Sequence, residues 1–191
     1  MGFKRLPDGQ YARYDGALAR RPNLAALIGE IVAEWSIAET IMTGVFTAVT
    51  RMEDGRTAAD ILDHIQNKET KSRLIQKIAQ RKMKDKALKE RLAAALGNLV
   101  QAGARRDSLA GHGRWATCDA MPSELLWHQS SWPVDGFERY DHTKLLSVVA
   151  EIVQARDAVQ LLTLEIIEHL TLVENKQWPQ RGADGKPIER P

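Results

Sequence analysis

Apolar residues recur at helical spacing through most of the chain, and the pattern breaks in only a few places. After Pro22 and Asn23 they fall at Leu24, Leu27, Ile28, Ile31, Trp35, Ala38, Met42, Val45, Phe46 and Val49, which predicts a long helix over 23–51 with Asn23 as its N-cap. Gly55 interrupts the pattern. A short helix over 57–65 and a medium one over 69–83 follow, with Asn67 in the turn between them. Leu88, Leu92, Leu96, Leu99 and Val100 mark one face of a fourth helical run over 86–111. Gly111 and Gly113 are expected to stop it, because glycine readily takes the positive φ used at helix C-termini.

The periodicity then changes. Trp115 to Cys118 and Leu125 to Trp132 are rich in aromatic and polar residues and flank Met121-Pro122-Ser123, so a small hairpin or ordered loop is expected there. A last helix, capped by Asp141 or Thr143, is predicted to run to about Val173, with apolar positions more than halfway round it. The fold class is therefore all-α: a four- to five-helix bundle with a long first and last helix and a short Trp-rich hairpin or loop before the last. Residues 1–22 read as an N-terminal extension, 23–173 as one helical domain, and 174–191 as a polar, flexible tail.

Composition narrows the function classes. A chain of 191 residues, 43% hydrophobic, can bury a core of single-domain size. Its one cysteine, Cys118, rules out an internal disulfide framework and a Cys-rich zinc site. No stretch approaches the roughly 20 apolar residues that span a bilayer, so a cytoplasmic protein with no membrane partner is expected. With 27 Lys+Arg against 25 Asp+Glu the net charge is only +2, so any polyanion must be met by a local patch. Asp60 and His64, and Glu165 and His169, have metal-ligand spacing, but surface pairing explains them as well, and neither a metal nor a cofactor is expected. The basic run from Lys68 to Arg91 is interrupted by Glu69, Asp85 and Glu90 and reads as a solvated face.

The candidate chemistry lies in Arg105-Arg106-Asp107-Ser108-Leu109-Ala110-Gly111-His112-Gly113-Arg114-Trp115, at the end of the fourth helix. A first helix carrying Trp35-Ser36 and Glu39, then a helix ending in Arg106-Asp107, His112-Gly113 and Trp115 before a loop and a last helix, resembles the HEPN superfamily of small all-α proteins. The resemblance implies a homodimer and, for many members, a metal-independent ribonuclease of toxin–antitoxin, antiviral or RNA-processing systems. On that reading Arg106 contacts the phosphate, His112 does acid/base work, and Arg105 and Asp107 support them. Arg114 and Trp115 are then candidate RNA contacts. His titrates near neutral pH, and the planar guanidinium suits a phosphate whose charge shifts during in-line transfer.

Helical geometry qualifies that picture. Positions six apart on a straight α-helix differ by roughly 120°, so Arg106 and His112 do not share a face. Either the helix unwinds at Gly111, or a second subunit completes the site. In the competing reading Arg105, Arg106 and His112 only offset the negative end of the helix dipole, and one arginine neutralises Glu39, whose position beside Trp35 and Met42 suggests burial. The protein is then a non-catalytic helical dimer or interaction module with a cognate protein partner.

Overall fold

The structure, a computed structural model, describes residues 3–6, 8–129 and 137–177. The described chain is mostly helical, with two small antiparallel sheets. In order come β1 (Phe3–Arg5), β2 (Tyr11–Arg13), α1 (Pro22–Thr50), α2 (Gly55–Asp63), α3 (Lys68–Lys82), α4 (Lys86–Arg106), a π-helix (Asp107–His112), β3 (Gly113–Ala116), β4 (Leu125–Gln129), β5 (Glu138–Tyr140) and α5 (His142–Gln177). The predicted helices are present within a few residues of their expected limits, and α5 continues past Val173. What remains of the expected tail after Gln177 lies outside the described residues, as does Trp132.

Local sequence explains the helix starts. Asp54 accepts from the amides of Arg56 and Thr57 and so caps α2, and Asn67 accepts from the Thr70 amide to cap α3. At α1 the expected cap moves. Ala25 N–H donates to the Arg21 carbonyl at 2.9 Å, and Pro22 takes the first helical position, which leaves Asn23 inside the first turn. Proline suits that place because its missing N–H is one that the helix would not use.

The chain divides into two compact units. The first comprises the described parts of Met1–Thr40 and Gly97–Asp157. Its buried side chains include Leu24, Leu27, Ile31 and Trp35 of α1, Leu99 of α4, Leu109 of the π-helix, and Leu145, Val149 and Ile152 of α5. Beside the helices β3, β4 and β5 form a three-stranded antiparallel sheet in that order. β1 and β2 form a hairpin in the segment expected to be a mere extension. The Arg13 and Thr117 backbones pair with both bonds at 2.8 Å, and Leu6, Ala12, Ala116, Cys118 and Leu126 share a small apolar cluster. Strands of three residues are too short for an alternating pattern to stand out, which is why the sequence predicts no element there.

The second unit comprises Ile41–Leu96 and the described residues after Ala158. It buries Met42, Val45, Phe46 and Val49 of α1, Leu62 of α2, Ile75 of α3, Leu88, Leu92 and Leu96 of α4, and Val159 and Ile166 of α5. Arg91 on α4 meets Glu165 on α5 through two hydrogen bonds of 2.7 Å each.

Candidate functional site

The Arg105–His112 segment is built from three conformations in succession. α4 ends at Arg106 with Arg105 and Arg106 in its last turn, where cations offset the partial negative charge of the free carbonyls. The chain then widens into a π-helix over Asp107–His112 and enters β3 directly. Gly111 therefore does not act as the expected left-handed stop. It lies within the π winding, without a positive φ, and an added Cβ would meet nothing within 4 Å. The i→i+5 pattern of a π-helix places residues five apart one turn from each other, so the backbones stacked here are those of Asp107 and His112. The side chain of His112 lies outside the described residues.

Two tryptophans hold the widened turn. Trp115 on β3 and Trp127 on β4 are register partners. Trp115 Nε1 donates to the Leu109 carbonyl at 3.1 Å, and Trp127 Nε1 donates to the Ser108 carbonyl at 3.2 Å. Helix ends leave carbonyls unsatisfied, and both indoles supply the missing donors. Trp115 is half-buried, and its ring stands edge-on to Tyr140 at 5.5 Å between centroids.

The arginines differ in their surroundings. Arg105 is exposed, and its Nη1 donates to both carboxylate oxygens of Glu151 on α5. The Glu151 hydrogen bonds, then its charge, raise the Arg105 pKa, and Tyr140 and Glu138 add smaller contributions. Tyr140 is buried; burial first, and the Glu138 carboxylate second, hold its hydroxyl protonated well above the ordinary tyrosine range. Arg106 bonds Asp107 Oδ1 at 2.9 Å, with the two side chains 30% and 31% exposed. Its Nε is buried with no hydrogen-bond partner among the described residues.

Arg114 is exposed on β3, opposite His128, and its positive charge partly offsets the upward effect of burial on the Tyr14 pKa. His128 is buried edge-on between Tyr14 and Phe137, each 5.3 Å away. Glu39 is exposed rather than buried. The stripe of α1 passes through its neighbour Ala38, and the carboxylates held by Arg105 and Arg106 are Glu151 and Asp107. Glu151, Tyr140 and Glu138 escape a reading of the sequence because they come from β5 and α5, with nothing near the motif to announce them.

The other spacings resolve locally. His64 Nδ1 lies 2.6 Å from the Asp60 carbonyl, and Glu165 is held by Arg91. Among the described residues no group of three or more His, Cys, Asp or Glu side chains is placed to hold a metal, and no helix is long and apolar enough to cross a membrane. No protein-family model matches the chain, and neither a curated protein nor a solved structure gives a significant match.

Proposed function

We propose that this protein is a HEPN-like, RNA-directed protein that works as a homodimer, and that it is a metal-independent endoribonuclease using Arg106 and His112. The observation that carries this reading is the π-helix over Asp107–His112, set at the end of α4 and pinned by two indoles. π-turns carry a cost in backbone geometry and recur at functional sites. Arg106 is partly exposed, which leaves part of its guanidinium open to a phosphate and supports its role as the cation there.

In the proposed reaction a base takes the proton of the ribose 2′-hydroxyl, and the 2′-oxygen attacks phosphorus. The P–O5′ bond breaks as an acid protonates the departing oxygen. The products are a 2′,3′-cyclic phosphate and a 5′-hydroxyl. His112 serves as base or acid, and its copy in the second subunit supplies the complementary group. Asp107, one turn from His112, orients it. Arg114 and Trp115 follow on β3 as RNA contacts, with Arg105 in support. Leu161, Leu164 and Ile167, exposed apolar residues of α5, support a subunit interface.

A second reading is favoured by one specific observation. Arg105 is held by Glu151 through Nη1, as expected of a residue that fastens α4 to α5 in a non-catalytic module with a protein partner. Wild type, Arg106→Ala and His112→Ala, assayed on RNA in EDTA with folding checked by circular dichroism, separate the two. Cleavage by wild type and its loss in both folded variants supports catalysis. Absence of cleavage in all three, or equal cleavage in all three, removes it.

A further inference from the structure

In the first unit a cavity of about 360 Å³ opens where the N-termini of α1 and α5 meet the turn after Cys118. Arg20, Arg21 and His142 line it with Ser123, and Leu24 and Pro122 supply apolar wall. Among the described residues no acidic side chain lines it. Volumes of a few hundred Å³ with a few convergent polar groups are typical of small-ligand sites.

Among the described residues no carboxylate compensates the charge in this cavity. Arg20 Nε donates to the Asp15 backbone carbonyl at 3.4 Å. Arg21 donates to the carbonyls of Arg20, Cys118 and Met121, and neither guanidinium meets a carboxylate among the described residues. Arg21 Nε is buried with no hydrogen-bond partner among them. Of the neighbouring carboxylates, Asp119 pairs with Arg13 and Asp141 accepts the Lys144 amide to cap α5, while Glu124 lies 4.0 Å from Arg139. The first turn of α1 carries no acidic residue, so the positive end of that helix dipole adds to the same field.

Arg21 also builds the wall. Its bonds to the Cys118 and Met121 carbonyls hold the turn that carries Pro122 and Ser123.

We propose that this cavity binds a phosphate monoester. Two permanent guanidinium charges match a dianion, the planar fork suits phosphate oxygens, and the Ser123 hydroxyl and the α1 amides supply neutral donors. Leu24 and Pro122 give an apolar face for the organic group that carries the phosphate. The site is independent of Arg106 and His112.

Binding of inorganic phosphate, a nucleoside 5′-monophosphate and the matching nucleoside to the full chain, followed by isothermal calorimetry and NMR shifts, tests this. Phosphate and the monophosphate should bind, the nucleoside should not, and Arg20→Gln should weaken binding about tenfold or more. Arg20 makes one long backbone bond, so this variant keeps its fold where Arg21→Gln loosens the turn. Arg106→Ala should bind phosphate as wild type does, whatever becomes of RNA cleavage. A short RNA bearing a 5′-phosphate, compared with its 5′-hydroxyl form, tells an RNA end from a free nucleotide. No binding of phosphate, equal binding of the nucleoside, or full binding by folded Arg20→Gln would overturn the proposal.

Discussion

Trp127 donates its indole N–H to the carbonyl of Ser108 across 3.2 Å, tying the central strand of the sheet to a π-helix formed 19 residues earlier. Its register partner Trp115 does the same at Leu109. The motif's unusual winding is thus held from outside by the sheet that follows it. Trp127→Phe keeps most of the ring and removes the donor. An orphaned carbonyl costs about 1–3 kcal/mol, and urea unfolding should show a loss in that range. Under the catalytic reading RNA cleavage should fall as well, since the π-turn loses one of its two ties. Unchanged stability would mean that water replaces the indole and that the sheet does not hold the turn.

Glycine at 111 should prove dispensable for the fold. Its backbone is not left-handed and a Cβ meets nothing within 4 Å, so Gly111→Ala should leave stability level or raise it by up to about 1 kcal/mol by restricting the unfolded chain. Gly16 at φ 63° is the contrast: Gly16→Ala should cost about 1–2 kcal/mol. Thermal unfolding of the two variants side by side checks the order.

The Arg156–Glu34 pair joins α5 to α1 with side chains only 17% and 21% exposed. Arg156 also holds Asp157, with Nε and Nη2 at 2.8 and 2.7 Å from Oδ1. Glu34→Ala leaves a poorly solvated guanidinium with that one carboxylate and should destabilise by about 2 kcal/mol. Glu165→Ala, which breaks the more exposed pair with Arg91, should cost much less. Denaturant midpoints decide the ranking, and equal losses would refute it.

Tyr140 sets a limit at high pH. Burial raises its pKa above the ordinary 10.0. Above that ordinary value the unfolded chain releases the phenolic proton while the folded chain keeps it, so the unfolded state binds fewer protons and stability falls as pH rises. Below it the contribution is constant. Stability measured between pH 9 and about 11 should decline in wild type and decline less in Tyr140→Phe. Parallel curves would show that Tyr140 ionises in the fold as readily as outside it.

The apolar face of α5 at Leu161, Leu164 and Ile167 gives the test of the homodimer. Light scattering should report a dimer for wild type, and Leu161→Glu with Leu164→Glu should yield a folded monomer. A monomeric wild type at micromolar concentration would remove the second subunit from the proposed site.

Helix positions were legible because they depend on spacing and caps that lie within a few residues of each other. The stripe from Leu24 to Val49 and the Asn67 cap carry their own instructions, and the change of character after His112 marked where the sheet begins. What tertiary structure decided is what joins distant residues. The β1–β2 hairpin forms because Thr117 and a small apolar cluster receive it, not because three-residue strands announce themselves. The partner of Arg105 is Glu151, 46 residues away, while Glu39 turned outward because one position on a helix rotates a side chain by about 100°. The π winding belongs to the same class. Residues 107–112 alone would continue as α-helix or stop at Gly111, and the donors that accompany the wider turn come from strands not yet made when that stretch is read.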